Sequence, residues 1–316
     1  MARIIKFIGN CVVTKIGLVG FGRWGKLIFR DLLSLGVTVH VVDPSVDSRL
    51  LALGLGASKA YADIDELPEL DGFIVAVPTV SHFEVVKQLT SRHRPIFVEK
   101  PMTNSPEQAR ILCNLAPDKI FVMDKWRYHP GIEAIAELTR SGALGDILSI
   151  RSYRLGWGNP HEDVDAIWIL LPHDLSIVLE ILGYLPEAKS AFSQPSVTTG
   201  TNLVGVLQNN SESSMAVLEV SSLQPVSKRS VIVNGTKGTA QLADSYDDRI
   251  LINKADSSGM ANAEEKYVSN EMPLLRELRA FISHVQGSAP PRSSAAEALT
   301  IVERIASLRK LAGVPD

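Results

Sequence analysis

Cysteine is almost missing from this chain of 316 residues: Cys11 and Cys113 are the two it has. Neither sits in a CxxC pair, so a disulfide framework is excluded and ordinary thiols in a reducing compartment are expected. Charge of one sign is missing too. The 32 Lys and Arg stand against 35 Asp and Glu, a net charge of −3, and no basic run gathers anywhere. Nucleic acid and anionic membrane both need concentrated positive charge, so neither is an expected partner. A clean apolar run is also lacking. The most apolar long stretch, Ala166–Leu185, carries His173, Asp174 and Glu180, which speaks for a buried helix and against a membrane span. The N-terminal fifteen residues are broken by Lys6 and Asn10 and are too short for a secretory core. A cytoplasmic protein is expected. Its 45% hydrophobic and 21% charged residues are ordinary globular composition, and at roughly 150 residues per domain the length suggests two domains.

What is present falls into two rhythms. Up to residue 125, short apolar runs alternate with amphipathic stretches, the pattern of βαβ units around a parallel sheet. Strands are expected at Lys15–Val19, Val37–Val42, Gly72–Val77, Pro95–Val98 and Ile120–Met123, with helices over Gly25–Leu35 and His82–Thr90. Ser105-Pro106-Glu107-Gln108 opens another helix with a capping hydroxyl and a proline at the first helical position. From 126 to 316 strands dominate: Ile147–Leu155, Asn202–Leu207, Ser214–Ser221, Ser230–Asn234, Thr239–Leu242 and Ile250–Asn253. Turn chemistry at Asn209-Asn210 and Asn234-Gly235 separates several of them. Helices are expected at Gly131–Thr139, His173–Leu182, Leu274–Val285 and Ala295–Leu311, and Ala255–Glu264 reads as a surface loop. The expected fold is therefore α/β: a doubly wound parallel sheet over residues 1–125, then an α+β domain over 126–316 with a large, mostly antiparallel open sheet.

Gly20-Phe21-Gly22-Arg23-Trp24-Gly25 fits GxGxxG, follows a predicted strand, opens a predicted helix, and is followed 18 residues after Gly25 by Asp43 at a strand end. Each glycine has a physical role. Gly20 permits the tight turn, Gly22 lets backbone approach a pyrophosphate, and Gly25 allows close helix–strand packing. The helix N-terminus offers N–H groups and a positive dipole end to phosphate. Asp43 is placed to accept from both ribose hydroxyls of NAD and to repel the 2′-phosphate of NADP. Neither Pro44 nor Ser45 supplies a compensating charge, although Arg49 is within reach along the chain, so NAD is expected rather than NADP.

Glu99-Lys100-Pro101 directly after the fourth strand, Pro78-Thr79 and His82 after the third, Arg127-Tyr128-His129-Pro130 after the fifth and Pro172-His173-Asp174 downstream stand in a specific order. Together with the glycine motif they resemble the glucose–fructose oxidoreductase / inositol 2-dehydrogenase (Gfo/Idh/MocA) family over nearly the whole chain. The resemblance implies an NAD(P) Rossmann domain joined to an α/β domain whose open sheet mediates a homo-oligomer, dimer or tetramer. It also implies hydride transfer at a secondary hydroxyl or ketone of a sugar, cyclitol or nucleotide-sugar. Lys100 matches the position that contacts the reacting hydroxyl beside the nicotinamide, and His173 the position that takes part in proton transfer. Thr79, His82 and Glu99 match cofactor-lining positions, and Arg127 one near the nicotinamide.

The residues carry part of this alone. Lys100 follows a parallel strand at its C-terminal end, where open α/β sheets place their ligand crevice; a lysine desolvated beside a cationic ring has a lowered pKa and becomes a proton acceptor. His173, in the expected first helical turn, is disfavoured as imidazolium by the helix dipole. Asp174 in that turn either complements the dipole or serves the site. One departure stands out: family members often carry Asp four residues before this histidine, and here the position is Ile169. Asp165, Glu162 or Asp174 takes its place, or Lys100 and His173 act without it, or redox catalysis is weakened. Two other readings follow: an NAD-binding regulatory protein without turnover, and an NAD-dependent glycosidase with no net redox change. Trp157 to Asp163, with Asp165, is a candidate wall for a polyhydroxylated ligand. His161, Glu162, Asp163 and Asp165 lack a metal-ligand spacing, so no metal is expected. His40, His93 and His284 are read as structural.

Overall fold

A computed structural model describes residues 13–159, 163–194, 201–209, 214–255 and 261–314. Cys11 and the loop residues Pro160, His161 and Glu162 lie outside them. The chain runs β1 (Lys15–Val19), α1 (Arg23–Ser34), β2 (Thr38–Val42), α2 (Val46–Gly54), β3 (Lys59–Tyr61), β4 (Gly72–Val75), α3 (His82–Thr90), β5 (Ile96–Glu99), α4 (Pro106–Leu115) and β6 (Ile120–Met123). It continues through α5 (Pro130–Arg140), β7 (Ile147–Trp157), α6 (Ala166–Leu182), β8 (Ala188–Phe192), β9 (Asn202–Gln208), β10 (Met215–Ser221), β11 (Leu223–Gly235), β12 (Gly238–Leu242), β13 (Arg249–Ala255), β14 (Ala261–Tyr267), α7 (Pro273–Val285) and α8 (Ala295–Leu311).

The first sheet has six parallel strands in the order β3-β2-β1-β4-β5-β6. Its central strands are buried along nearly their whole length, as strands covered on both faces must be. The strand order reverses beside β1, between β2 and β4, which puts a crevice at the carboxyl ends of the strands. The second sheet has eight strands, β14-β13-β12-β11-β7-β10-β9-β8. All its pairs are antiparallel except β7 with β10, so the α/β architecture is the expected one.

The last two helices tie the sheets together. Phe281 of α7 stacks on Phe97 of β5, ring centres 4.9 Å apart. The approach to α8 adds a bond from Val122 N–H to the Ser293 carbonyl (3.0 Å), while Leu308 of α8 packs at Gly205 of the second sheet. The ends of β5 and β6 are thereby held against α6. Among the described residues no helix is long and apolar enough to cross a membrane.

Several elements differ from expectation, each for a physical reason. Helix α6 starts at Ala166, seven residues before the expected start, because the Asp165 side chain accepts from the N–H groups of Ile167 and Trp168. Pro172 therefore lies inside the helix, and His173 is two turns from its start. Asn234-Gly235 is no turn: both residues extend β11, and Gly235 is needed there because a Cβ would fall 2.1 Å from the Leu144 carbonyl oxygen. The expected loop at Ala255–Glu264 instead ends β13 and begins β14, pairing Ile252 with Glu264; residues 256–260 lie outside those described. A polar edge strand does not alternate as a half-buried one does.

Candidate functional site

The glycine turn sits at the crevice. Gly20 has φ +96°, and a Cβ there would collide with the backbone of Ala76 (2.5 Å); a Cβ on Gly25 would meet the Gly20 carbonyl oxygen at 2.2 Å. Gly22 differs, because nothing lies within 4 Å of its missing Cβ. It caps α1, which has no side-chain cap and no acidic residue in its first turn. The first N–H groups of α1, beginning at the exposed Arg23, thus face open space with their partial positive charge uncompensated. The Asp43 carboxylate accepts from Phe21 N–H (2.8 Å) and Ser45 N–H (2.9 Å), which fixes it at the end of β2. Arg49 donates to the carbonyls of Asp43 and Pro44, so among the described residues the carboxylate has no guanidinium partner. An anion cradle followed by a fixed acceptor fits a dinucleotide with free ribose hydroxyls. The Phe21 ring turns away into the core, edge-on to Phe29.

The opposite wall is built of charge. Lys100 follows β5 and donates from Nζ to the carbonyl of Ile169 on α6 (2.9 Å). That carbonyl is one helical turn before His173, so the amine and the imidazole share the same end of the crevice. Burial brings the Lys100 amine down to about 8 against the opposing pull of Glu99. Burial, then Lys100, Arg154, Lys125 and Arg229, hold His173 well below its ordinary value. His173 is neutral for that reason, which corrects the expected helix-terminus effect. Its Nδ1 is sealed from solvent and makes no hydrogen bond among the described residues.

Glu99 accepts from the Trp24 indole N–H and, at 3.1 Å, from the Lys100 backbone N–H; burial pushes its carboxyl up to about 7 despite Lys100 and Lys125. Lys125 lies 4.5 Å above the Trp24 ring. Pro78 precedes a short 3-10 turn that buries Thr79. His82 sets its two ring nitrogens against the carbonyls of Pro101 (2.8 Å) and Val77 (3.0 Å). It therefore braces the loop after β4 against the Lys100–Pro101 turn.

Other expected site residues have different partners. Arg127 is buried with Glu180 (3.0 Å), Glu297 (3.0 Å) and Ser293 (3.3 Å), joining α6 to α8. Asp165 caps α6 and pairs with Arg309, which takes it away from the expected substrate wall. Asp174 accepts from Ser152 Oγ (2.5 Å) and Arg154 Nε (2.9 Å); it anchors β7 and does not complement a helix end. Trp157 is 74% exposed at the end of β7, where it pairs with Leu223. Among the described residues no group of three or more His, Cys, Asp or Glu could hold a metal ion.

The structure also adds groups the sequence did not single out. Asp124, directly after β6, is 1% exposed, and burial raises its carboxyl to about 7. Glu277 of α7 is fully buried with its pKa raised well above the ordinary value by burial, Glu99 and Asp124. Arg154 lies 4.4 Å over the Trp126 ring. Asp124 and Lys125 carried one available signal, their place at the C-terminal end of a parallel strand; Arg154 and Glu277 carried none.

Residues 14–122 match the pattern of the oxidoreductase family, NAD-binding Rossmann fold. The chain is 32% identical over 148 residues to the rhizopine catabolism protein MocA of Rhizobium meliloti, covering 44% of this chain and 46% of that protein. It is 25% identical over 189 residues to UDP-N-acetylglucosamine 3-dehydrogenase of Acidithiobacillus ferrooxidans, covering 58% and 59%. These matches thus span about half the length of the relatives. In fold, the chain resembles levoglucosan dehydrogenase in complex with NADH and levoglucosan, with TM-score 0.84 at 15% identity over 95% of this chain and 97% of that one.

Proposed function

We propose that this chain, whose residues 14–122 match the NAD-binding Rossmann fold of the oxidoreductase family, is an NAD-dependent oxidoreductase of the Gfo/Idh/MocA kind acting on a secondary hydroxyl, or its ketone, of a sugar, cyclitol or nucleotide-sugar. One observation carries the reading: the Lys100 amine and the neutral His173 imidazole meet on α6, across the crevice from a glycine cradle and a fixed Asp43 acceptor. The relatives named for dehydrogenation of a nucleotide-sugar and of an anhydrosugar support the substrate class.

The first N–H groups of α1 would hold the pyrophosphate, with Asp43 accepting from the adenosine ribose. When bound, NAD supplies the acceptor or donor of hydride. Lys100 orients the reacting oxygen and exchanges its proton, a role its lowered pKa suits. His173, held neutral by burial and the cations around it, accepts a second hydrogen bond or proton from the substrate. Phe192 and Val204, exposed cross-strand neighbours, lie on the sheet face away from α8, and a second copy of the chain covers that face in this reading.

The test is turnover of NAD⁺ across a panel of sugars, cyclitols and nucleotide-sugars, read by nicotinamide absorbance. Lys100→Met should lower turnover by roughly 10²–10⁴-fold while NADH binding persists. Unchanged turnover in that variant removes Lys100 from the reaction. A panel with no substrate for the wild-type protein removes the oxidoreductase itself.

A further inference from the structure

The position four residues before His173 holds Ile169, and the structure assigns the two nearest acids other work. Asp165 caps α6 and pairs with Arg309, while Asp174 holds Ser152 and Arg154. Glu99 is engaged by Trp24 and by the Lys100 backbone. Lys100 and Asp124, however, both line a void of about 10 Å³, with Pro172 of α6 and Val302 of α8 among its walls. That is the lower limit for one water molecule, which needs polar partners such as these two side chains.

We propose that Asp124 is the positioning residue behind Lys100: across this water-sized void its carboxylate takes the proton that the amine has accepted from substrate. The inference rests on the oxidoreductase reading for the identity of that substrate. In the step, an N–H bond of the Lys100 ammonium breaks toward the intervening water, which passes a proton of its own to Asp124. An O–H bond forms on the carboxyl, and Lys100 is returned to the neutral amine. Once product has left, the proton goes back through Lys100 to water in the crevice. In the reduction direction the same path runs in reverse and delivers the proton to substrate.

Three features favour this role over a structural one. Asp124 precedes the 3-10 turn Lys125–Tyr128 but does not cap it with its side chain. Both its carboxylate oxygens are sealed from solvent. The groups facing it are Lys100, Arg127 of the 3-10 turn, Ser293, Glu297 of α8 and, more distantly, Glu99 and Glu277 of α7. Arg127 is already neutralised by Glu180 and Glu297, whereas Lys100 faces Asp124 as well as Glu99. The two partners also titrate close together, at about 7 for Asp124 and about 8 for Lys100, so neither transfer is steeply uphill.

The experiment follows the lysine ¹³Cε resonances of the whole protein against pH, with Lys100 assigned by its loss in Lys100→Met. Asp124→Asn should lower the Lys100 midpoint by about one unit, because removing a nearby carboxylate disfavours the ammonium. If the Asn variant does not fold, Asp124→Ser is read in the same way. On whichever panel member the wild type turns over, the folded variant should lose about 10²-fold in kcat with KM and NADH affinity kept, and Asp124→Glu should restore part of it. An unmoved Lys100 midpoint, or full turnover in a folded Asn variant, overturns the proposal while leaving the oxidoreductase standing. A shifted midpoint in a protein that turns over nothing has the opposite meaning: the pair is real and the proposed reaction is wrong.

Discussion

The two walls of the crevice are made in different ways. On the cofactor wall, Gly20, Gly22 and Gly25 act through the space they leave open, within six residues of chain. On the proton wall, the long side-chain contacts bridge distant sequence: Lys100 to Ile169 across 69 residues, Arg154 to Asp174 across 20, and Arg309 to Asp165 across 144. The first wall is backbone geometry, whereas the second is buried charge held by other charge. Substitutions should therefore act on backbone packing and binding at one wall and on charge-held stability and proton transfer at the other.

The strongest way to break the comparison is at Asp174. It is fully buried, and Arg154, its partner, is almost as deep. Asp174→Ala strands a buried guanidinium and should cost roughly 3–5 kcal/mol in denaturant unfolding. A loss below about 1 kcal/mol, the range of exposed pairs, would mean that the second wall is not held by buried charge. The cofactor wall is sharpened by a pair of alanines. Gly25→Ala drives a methyl into the Gly20 carbonyl and should destabilise by about 1–3 kcal/mol. Gly22→Ala meets no protein atom, so it should melt like the wild type yet bind NADH about tenfold or more weakly, ~1.4 kcal/mol. Wild-type affinity in Gly22→Ala would show that the pyrophosphate does not approach at Gly22.

This contrast also explains what could be read from the sequence. Both β1 and β6 fall at their expected bounds, as do α3 and α8, because apolar periodicity and caps are local. The geometry of the glycine turn and of Asp43 was legible for the same reason: it is set by residues close in sequence. Helix α6 was misplaced because a proline at position 172 mimics a helix start, while the capping work is done by Asp165 seven residues earlier. Arg127 and Asp165 were matched to a site by position along the chain, yet their partners, Glu297 and Arg309, come from α8 near the other end. Asp124 and Glu277 could not be recognised, since an acid acquires its chemistry from burial, and burial of one residue is set by the whole fold.

Glu277 offers the finest test of that last point. It lies on α7 with no exposed surface, and its carboxyl oxygens have no hydrogen-bond partner among the described residues. Burial, Glu99 and Asp124 all raise its pKa, and Lys125 opposes them in part. The folded protein therefore keeps a proton that the unfolded chain releases above about pH 4.3. Where the folded state binds more protons than the unfolded, stability falls as pH rises. The loss from this group is absent below the unfolded value and grows as pH climbs toward the folded one. Asp124 and Glu99 contribute with the same sign, but they are unchanged in a Glu277→Gln variant and largely cancel in the comparison with wild type. The melting temperature of Glu277→Gln relative to wild type should thus be lowest near pH 4 and should rise steadily toward pH 8. A difference that is flat with pH would place a charged, compensated carboxylate on α7 and would undo the reading of Glu277 as an acid kept protonated by burial.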